Sequence, residues 1–147
     1  MGIGGGVFAA EEEDLPGELL PDLSGEVGAA EPAVAPPPAA QMTDGEKVYR
    51  GACIACHEAD GSSAPRIYPP LPGNANLQSA DPLSTIRVIL DGAESITTQR
   101  APNKGSMPAY AAKLSDQQIA DVTTYIRNAW GNAAPAVTAA EVAKARK

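Results

Sequence analysis

Cys53-Ile54-Ala55-Cys56-His57 packs both cysteines and the chain's one histidine into five consecutive residues. This is the spacing of a c-type haem attachment signature. Two thiols can add to the two vinyl groups of a haem, which lie a fixed distance apart on adjacent pyrroles. Two intervening residues at a helix end let both sulfurs reach them. The adjoining histidine then falls beneath the iron, as an axial ligand.

Other uses of these residues fit less well. A disulfide between Cys53 and Cys56 closes a very short loop and constrains little of the unfolded chain. A thioredoxin-like dithiol needs a βαβ setting, and no strand pattern surrounds the motif. A zinc site needs a fourth ligand, and no further cysteine or histidine exists to supply it. Three ligands crowded into five residues also suit tetrahedral geometry poorly.

The sixth position on such an iron cannot be a second histidine from this chain. The candidates are Met1, Met42, Met107, a lysine, water or nothing. Met42 lies just ahead of the attachment site. Met107 lies in a loop far downstream, long enough to reach the other haem face, and Pro108 stiffens that loop and lowers the entropy lost on holding the sulfur. The expected axial pair is His57 and Met107, with Met107 as simple core filler the competing reading. Thioether ligation stabilises reduced iron and raises the potential.

These residues need elements to hold them. Thr43 and Glu46 have the spacing of a capping box, predicting a helix from about Asp44 to Cys53 with Gly45, Val48, Tyr49 and Ala52 on one face. Residues 58–80 are rich in turn formers and predict a long irregular loop, natural if it wraps a cofactor. Asp81 and Pro82 open a second helix carrying Leu83, Ile86, Val88, Ile89 and Leu90, and Gly92 closes it. Residues 94–114 read as irregular. Ser115 and Gln118 cap a helix to about Trp130 with Ile119, Val122, Ile126 and Trp130 on its apolar face, and Thr138 with Glu141 caps a short final one. Aromatics make up only 4% of the chain, so a bulky cofactor would help fill such a core.

Charge divides the chain. Residues 1–41 hold eight of the 18 acids and none of the 11 bases, and they are rich in Gly, Pro and Ala. They read as a disordered leader, either a tether to a partner or anchor or a featureless tail. Residues 42–147 form the expected folded domain and are close to neutral. No basic run or basic-and-aromatic interleaving points to nucleic acid. No stretch approaches the roughly 18 apolar residues of a membrane span. Residues 1–10 resemble the tail of a signal peptide, short and without a basic start. Arg66, Arg87, Arg100, Lys104 and Lys113 read as surface charges that could also rim the haem.

Gly45-x-x-x-Tyr49-x-x-x-Cys53, Cys56-His57, Pro69-Pro70-Leu71-Pro72-Gly73-Asn74, Met107-Pro108 and the Tyr125/Trp130 helix together resemble class I cytochrome c. The stretches YPPLPGNANL (68–77), VILDGA (88–93), MPAY (107–110) and WGNAAPAVTAAEV (130–142) are similar to haem domains of cytochrome subunits serving bacterial membrane-associated alcohol, aldehyde and sugar-acid dehydrogenases. Such subunits commonly carry several haems; this chain holds one attachment motif.

The resemblance implies a small all-α fold wrapped around one covalent haem c, with first and last helices crossing at Gly45. It implies a carbonyl near Pro69 that accepts the second imidazole N–H of His57, orienting the ligand. It also implies electron transfer rather than catalysis, with a dehydrogenase as donor and an oxidase or another cytochrome of a respiratory chain as acceptor. A periplasmic setting follows, with any membrane association made through a complex. The competing function is a haem enzyme or a peroxide or gas sensor with an open sixth position.

Overall fold

The computed structural model describes residues 33–146, so the predicted signal-like opening and most of the acidic leader lie outside the described residues. The order is α1 (Ala39–Ala52), α2 (Ile54–His57), α3 (Ala75–Gln78), α4 (Leu83–Asp91), β1 (Ala93–Glu94), β2 (Ser106–Met107), α5 (Asp116–Ile126) and α6 (Ala139–Ala145). No helix among the described residues is long and apolar enough to cross a membrane.

Helix α1 starts at Ala39, five residues before the expected Asp44. The Thr43/Glu46 capping box does not form: the Thr43 hydroxyl donates to the Ala39 carbonyl inside the helix. The proline run sets the start instead, with Pro38 extended at ψ 133° and its carbonyl accepting the Met42 N–H at 3.1 Å. Proline lacks the donor a preceding turn would need. The boxes at Ser115/Gln118 and Thr138/Glu141 do form, each with both reciprocal bonds. At α4 the Asp81 carboxylate accepts the Leu83 N–H at 2.9 Å, satisfying a free donor of the first turn.

Helices α1 and α5 cross at Gly45. A Cβ there would lie 2.2 Å from the Asp121 carbonyl oxygen and 2.7 Å from Tyr125 Cβ, so only glycine allows this approach. Beside the crossing, Tyr49, Tyr125 and Trp130 form a three-ring cluster with centroids 5.2–5.6 Å apart. Tilted and edge-on pairs of this kind contribute about 0.5–1.5 kcal/mol each beyond their burial. Ile86, Leu90, Ile119, Val122, Val137 and Val142 complete the buried core. Leu83 and Val88, expected on the apolar face of α4, are instead 47% and 41% exposed.

Two further departures share one cause, side chains capturing backbone groups. Helix α5 ends at Ile126, not near Trp130. The Asn132 amide donates to the Ile126 carbonyl at 2.9 Å and the Asn128 amide to the Thr124 carbonyl at 2.9 Å, satisfying the final turn. Trp130 then turns into the left-handed region at φ 54°. Within the loop expected over 58–80, the Asn74 side chain accepts from the Asn76 N–H and opens the one-turn α3. Arg127, fully buried, donates to the carbonyls of Ser79 at 2.8 Å and Pro135 at 3.4 Å, tying both loops to the end of α5.

Candidate haem site

Cys53 sits at the junction of α1 and α2, where its backbone leaves the first helix and starts the second. The four-residue α2 therefore carries Cys56 and His57 on a turn that directly continues the long helix. Its C-terminal end is held from outside. The Tyr49 hydroxyl donates to the carbonyls of Glu58 at 2.6 Å and His57 at 3.1 Å, and the N–H groups of Ser63 and Ala64 return to the His57 and Cys56 carbonyls, each at 3.2 Å.

Met107 reaches the same region by a different route. Residues 94–114 were expected to be irregular, but β1 and β2 pair antiparallel with Ala93 opposite Met107 and Glu94 opposite Ser106. A two-residue ladder is too short to leave an alternating pattern in sequence. Gly92 makes it possible: at φ 76° it turns the chain off α4, and a Cβ there would stand 2.5 Å from the Met107 carbonyl oxygen. Beyond β2, the Tyr110 N–H donates to the Ile89 carbonyl at 2.9 Å and the Tyr110 hydroxyl to the Ala52 carbonyl at 2.7 Å.

Between these segments lies an apolar cavity of about 310 Å³ whose walls include Cys53, His57, Pro69, Leu71, Val88 and Met107. Cys56 lies on an adjoining recess that it shares with Cys53, His57 and Met107. The structure thus gathers Cys53, Cys56, His57 and Met107 around one space. Val88 and its neighbour Ile89 both line that cavity. Protein interiors are close-packed and rarely keep such voids. A planar hydrophobic group suits this one, with the Cys53 thiol and two ligand-type side chains in its walls and Cys56 on the recess beside it. None of Arg66, Arg87, Arg100, Lys104 or Lys113 lines the cavity. Arg87 pairs with Asp91 on α4, and the Lys113 ammonium lies over the Tyr110 ring at 5.5 Å.

The electrostatics agree with this use. Burial, then the neighbouring Cys56, pushes the Cys53 thiol up to about 11, the opposite of what a thiolate-based redox dithiol requires. Burial also lowers the imidazole of His57, favouring the neutral ring that a metal ligand must be. Among the described residues, no cluster of three or more His, Cys, Asp or Glu side chains is arranged to hold a metal ion directly.

The histidine's second nitrogen meets a residue that the sequence did not single out. His57 Nδ1 lies 3.0 Å from Ser63 Oγ, and Ser63 Oγ donates to the Pro69 carbonyl at 2.9 Å. The expected link from His57 to Pro69 therefore runs through a hydroxyl. Tyr110, Gly92 and Asn132 are likewise structural partners whose roles depend on contacts far along the chain.

Comparison with known proteins follows the same line. The family model for cytochrome c matches residues 42–130. The chain is 44% identical over 103 residues to the cytochrome c subunit of a quinone alcohol dehydrogenase from Gluconacetobacter polyoxogenes, covering 69% of this chain and 22% of that protein. It is 44% identical over 107 residues to the gluconate 2-dehydrogenase cytochrome c subunit of Pantoea cypripedii, covering 70% and 24%. It is also 34% identical over 88 residues to cytochrome c6 of Pyropia yezoensis, covering 60% and 71%. The chain spans about a fifth to a quarter of the length of the dehydrogenase subunits, matching one region of each. With the attachment signature, the cavity beside it and a family match across most of the folded domain in agreement, the chain belongs to the cytochrome c family.

Proposed function

We propose that this chain is a mono-haem electron carrier in which Cys53 and Cys56 hold haem c through thioethers and His57 and Met107 are its axial ligands. Family membership implies the covalent haem, and bound there it supplies a one-electron couple. One observation carries the ligand assignment: His57 and Met107 line the same apolar cavity as Cys53. His57 is held by the clamp on α2, and Met107 by the β1–β2 ladder and the Tyr110 bonds. Ligands fixed from both segments move little between oxidation states, which suits a carrier. A pair of filled axial positions leaves none for peroxide, oxygen or nitric oxide, so the enzyme or sensor reading is not favoured.

The relatives in alcohol and gluconate dehydrogenases support a dehydrogenase as the electron donor, with an oxidase or another cytochrome of a respiratory chain as acceptor. The reading puts the haem domain in the bacterial periplasm, where attachment to this signature takes place in the family. Potentiometric titration of the purified holoprotein tests the carrier assignment. One reversible one-electron wave, with no carbon monoxide binding by the reduced protein, is expected. Rapid carbon monoxide binding with peroxide turnover would transfer the assignment to an enzyme or sensor. Fractionation of the host cell tests the setting, and mature haem protein confined to the cytoplasm would overturn it.

A further inference from the structure

We infer that Ser63 is a positioning residue for the haem-binding histidine: its hydroxyl, not a backbone carbonyl, accepts the His57 Nδ1–H and so sets the basicity of the ligand. The inference rests on the assignment of His57 as an axial ligand.

The proton count decides the direction of each bond. Ser63 Oγ lies 3.0 Å from His57 Nδ1 and 2.9 Å from the Pro69 carbonyl oxygen. A carbonyl has no proton to give, and of the two within reach of the hydroxyl, Pro69 at 2.9 Å and Gly61 at 3.4 Å, the single proton of Ser63 goes to the nearer. The lone pairs of Ser63 Oγ then face His57 Nδ1, and that nitrogen must carry the ring proton. Nε2 is left with its lone pair free, which is the tautomer a metal ligand needs. Donating onward to Pro69 polarises the hydroxyl and makes it a better acceptor.

The position is built for this task. Ser63 is 1% exposed, so no water competes for the hydroxyl. It holds φ 64°, a left-handed conformation that costs a non-glycine residue energy. The surrounding bonds hold it there: Ser63 N–H to the His57 carbonyl at 3.2 Å, Ala64 N–H to the Cys56 carbonyl at 3.2 Å and Leu71 N–H to the Gly61 carbonyl at 2.9 Å. Glycine would relieve the strain but lacks the hydroxyl. A strained serine beside the ligand is therefore accounted for by its side chain.

The experiment uses the holoprotein with isotope-labelled histidine. His57 is the chain's only histidine, so ring signals are unambiguous. Ser63→Ala keeps the strained backbone and removes the hydroxyl; Ser63→Gly removes both. Both variants should exchange the Nδ1 proton with solvent about tenfold faster than the wild type, the size of a lost hydrogen bond. Both should raise the reduction equilibrium constant by up to tenfold, about 59 mV for one electron. The sign follows because a less basic imidazole donates less to oxidised iron. Stability should diverge, with Ser63→Gly the more stable of the two, so a potential that tracked stability would reveal a merely structural role and overturn the inference. Unchanged exchange and potential in both variants would mean that the Pro69 carbonyl takes the proton itself, and would also overturn it. A wild-type His57 ring without paramagnetic shifts in the oxidised protein would instead refute the ligand assignment on which the inference rests.

Discussion

The Tyr110 hydroxyl donates to the Ala52 carbonyl at 2.7 Å across 58 residues of chain. That bond ties the segment just after Met107 to the last turn of α1, one residue before Cys53. The thiol-bearing and thioether-bearing parts of the site are therefore linked directly, and not only through whatever fills the cavity between them. Tyr110→Phe should cost about 1 kcal/mol, a net hydrogen bond. Denaturant unfolding of the holoprotein should show a lower midpoint with an unchanged slope.

Met107→Ala should lower the reduction potential, because thioether ligation stabilises reduced iron. It should also let the reduced protein bind carbon monoxide rapidly while the haem stays covalently attached. A weak far-red charge-transfer band in the oxidised wild type should vanish in the variant. Carbon monoxide binding no faster than wild type, with that band absent from both, would remove Met107 from the site.

Gly92→Ala tests how the strand bearing Met107 is seated. The new Cβ would meet the Met107 carbonyl oxygen at 2.5 Å and would have to sit at φ 76°. Strain of this kind costs about 1–3 kcal/mol. The melting temperature should fall and the far-red band should weaken together, since the displaced backbone is that of Met107 itself. Retention of both would show that β1–β2 can shift without disturbing the sulfur.

Gly45→Ala should destabilise the domain by about 1–3 kcal/mol or more, as overpacking of a tight interface does. The clash is with backbone, the Asp121 carbonyl oxygen at 2.2 Å, so no rotamer change relieves it. The expected signature is a lower unfolding midpoint with a visible spectrum close to wild type, because the nearest atoms a Cβ would meet belong to Asp121 and Tyr125 and not to His57 or Met107.

Replacing both Cys53 and Cys56 with Ala should leave haem extractable by acidified organic solvent, whereas the wild type should retain its colour on the denatured chain. The doubly substituted protein should also fold poorly without haem, since the core then keeps a void lined by Leu71, Val88 and Ile89.

The proposed haem-attachment segment could be read from the sequence because it depends on residues adjacent in the chain. Cys53, Cys56 and His57 form one short segment, and the geometry of a single turn sets their spacing. The same holds for the capping boxes at Ser115/Gln118 and Thr138/Glu141, whose partners stand three residues apart. Thr43 and Glu46 show the limit of that logic: the pattern was present, but the proline run before it had already set the helix start. Met107 could be nominated by its distance from His57 and by Pro108, yet its seating needed Gly92 and a two-residue ladder too short to carry a periodic signal. The placement of Ser63 between His57 and Pro69 was beyond the sequence altogether. A serine in a turn-rich loop looks like any other, and only the fold-back of residues 58–71 onto α2 buries its hydroxyl beside the ring. Bonds between chain neighbours are set by local stereochemistry, whereas partners such as Ala52 and Tyr110 meet only after the whole core has closed around the cavity.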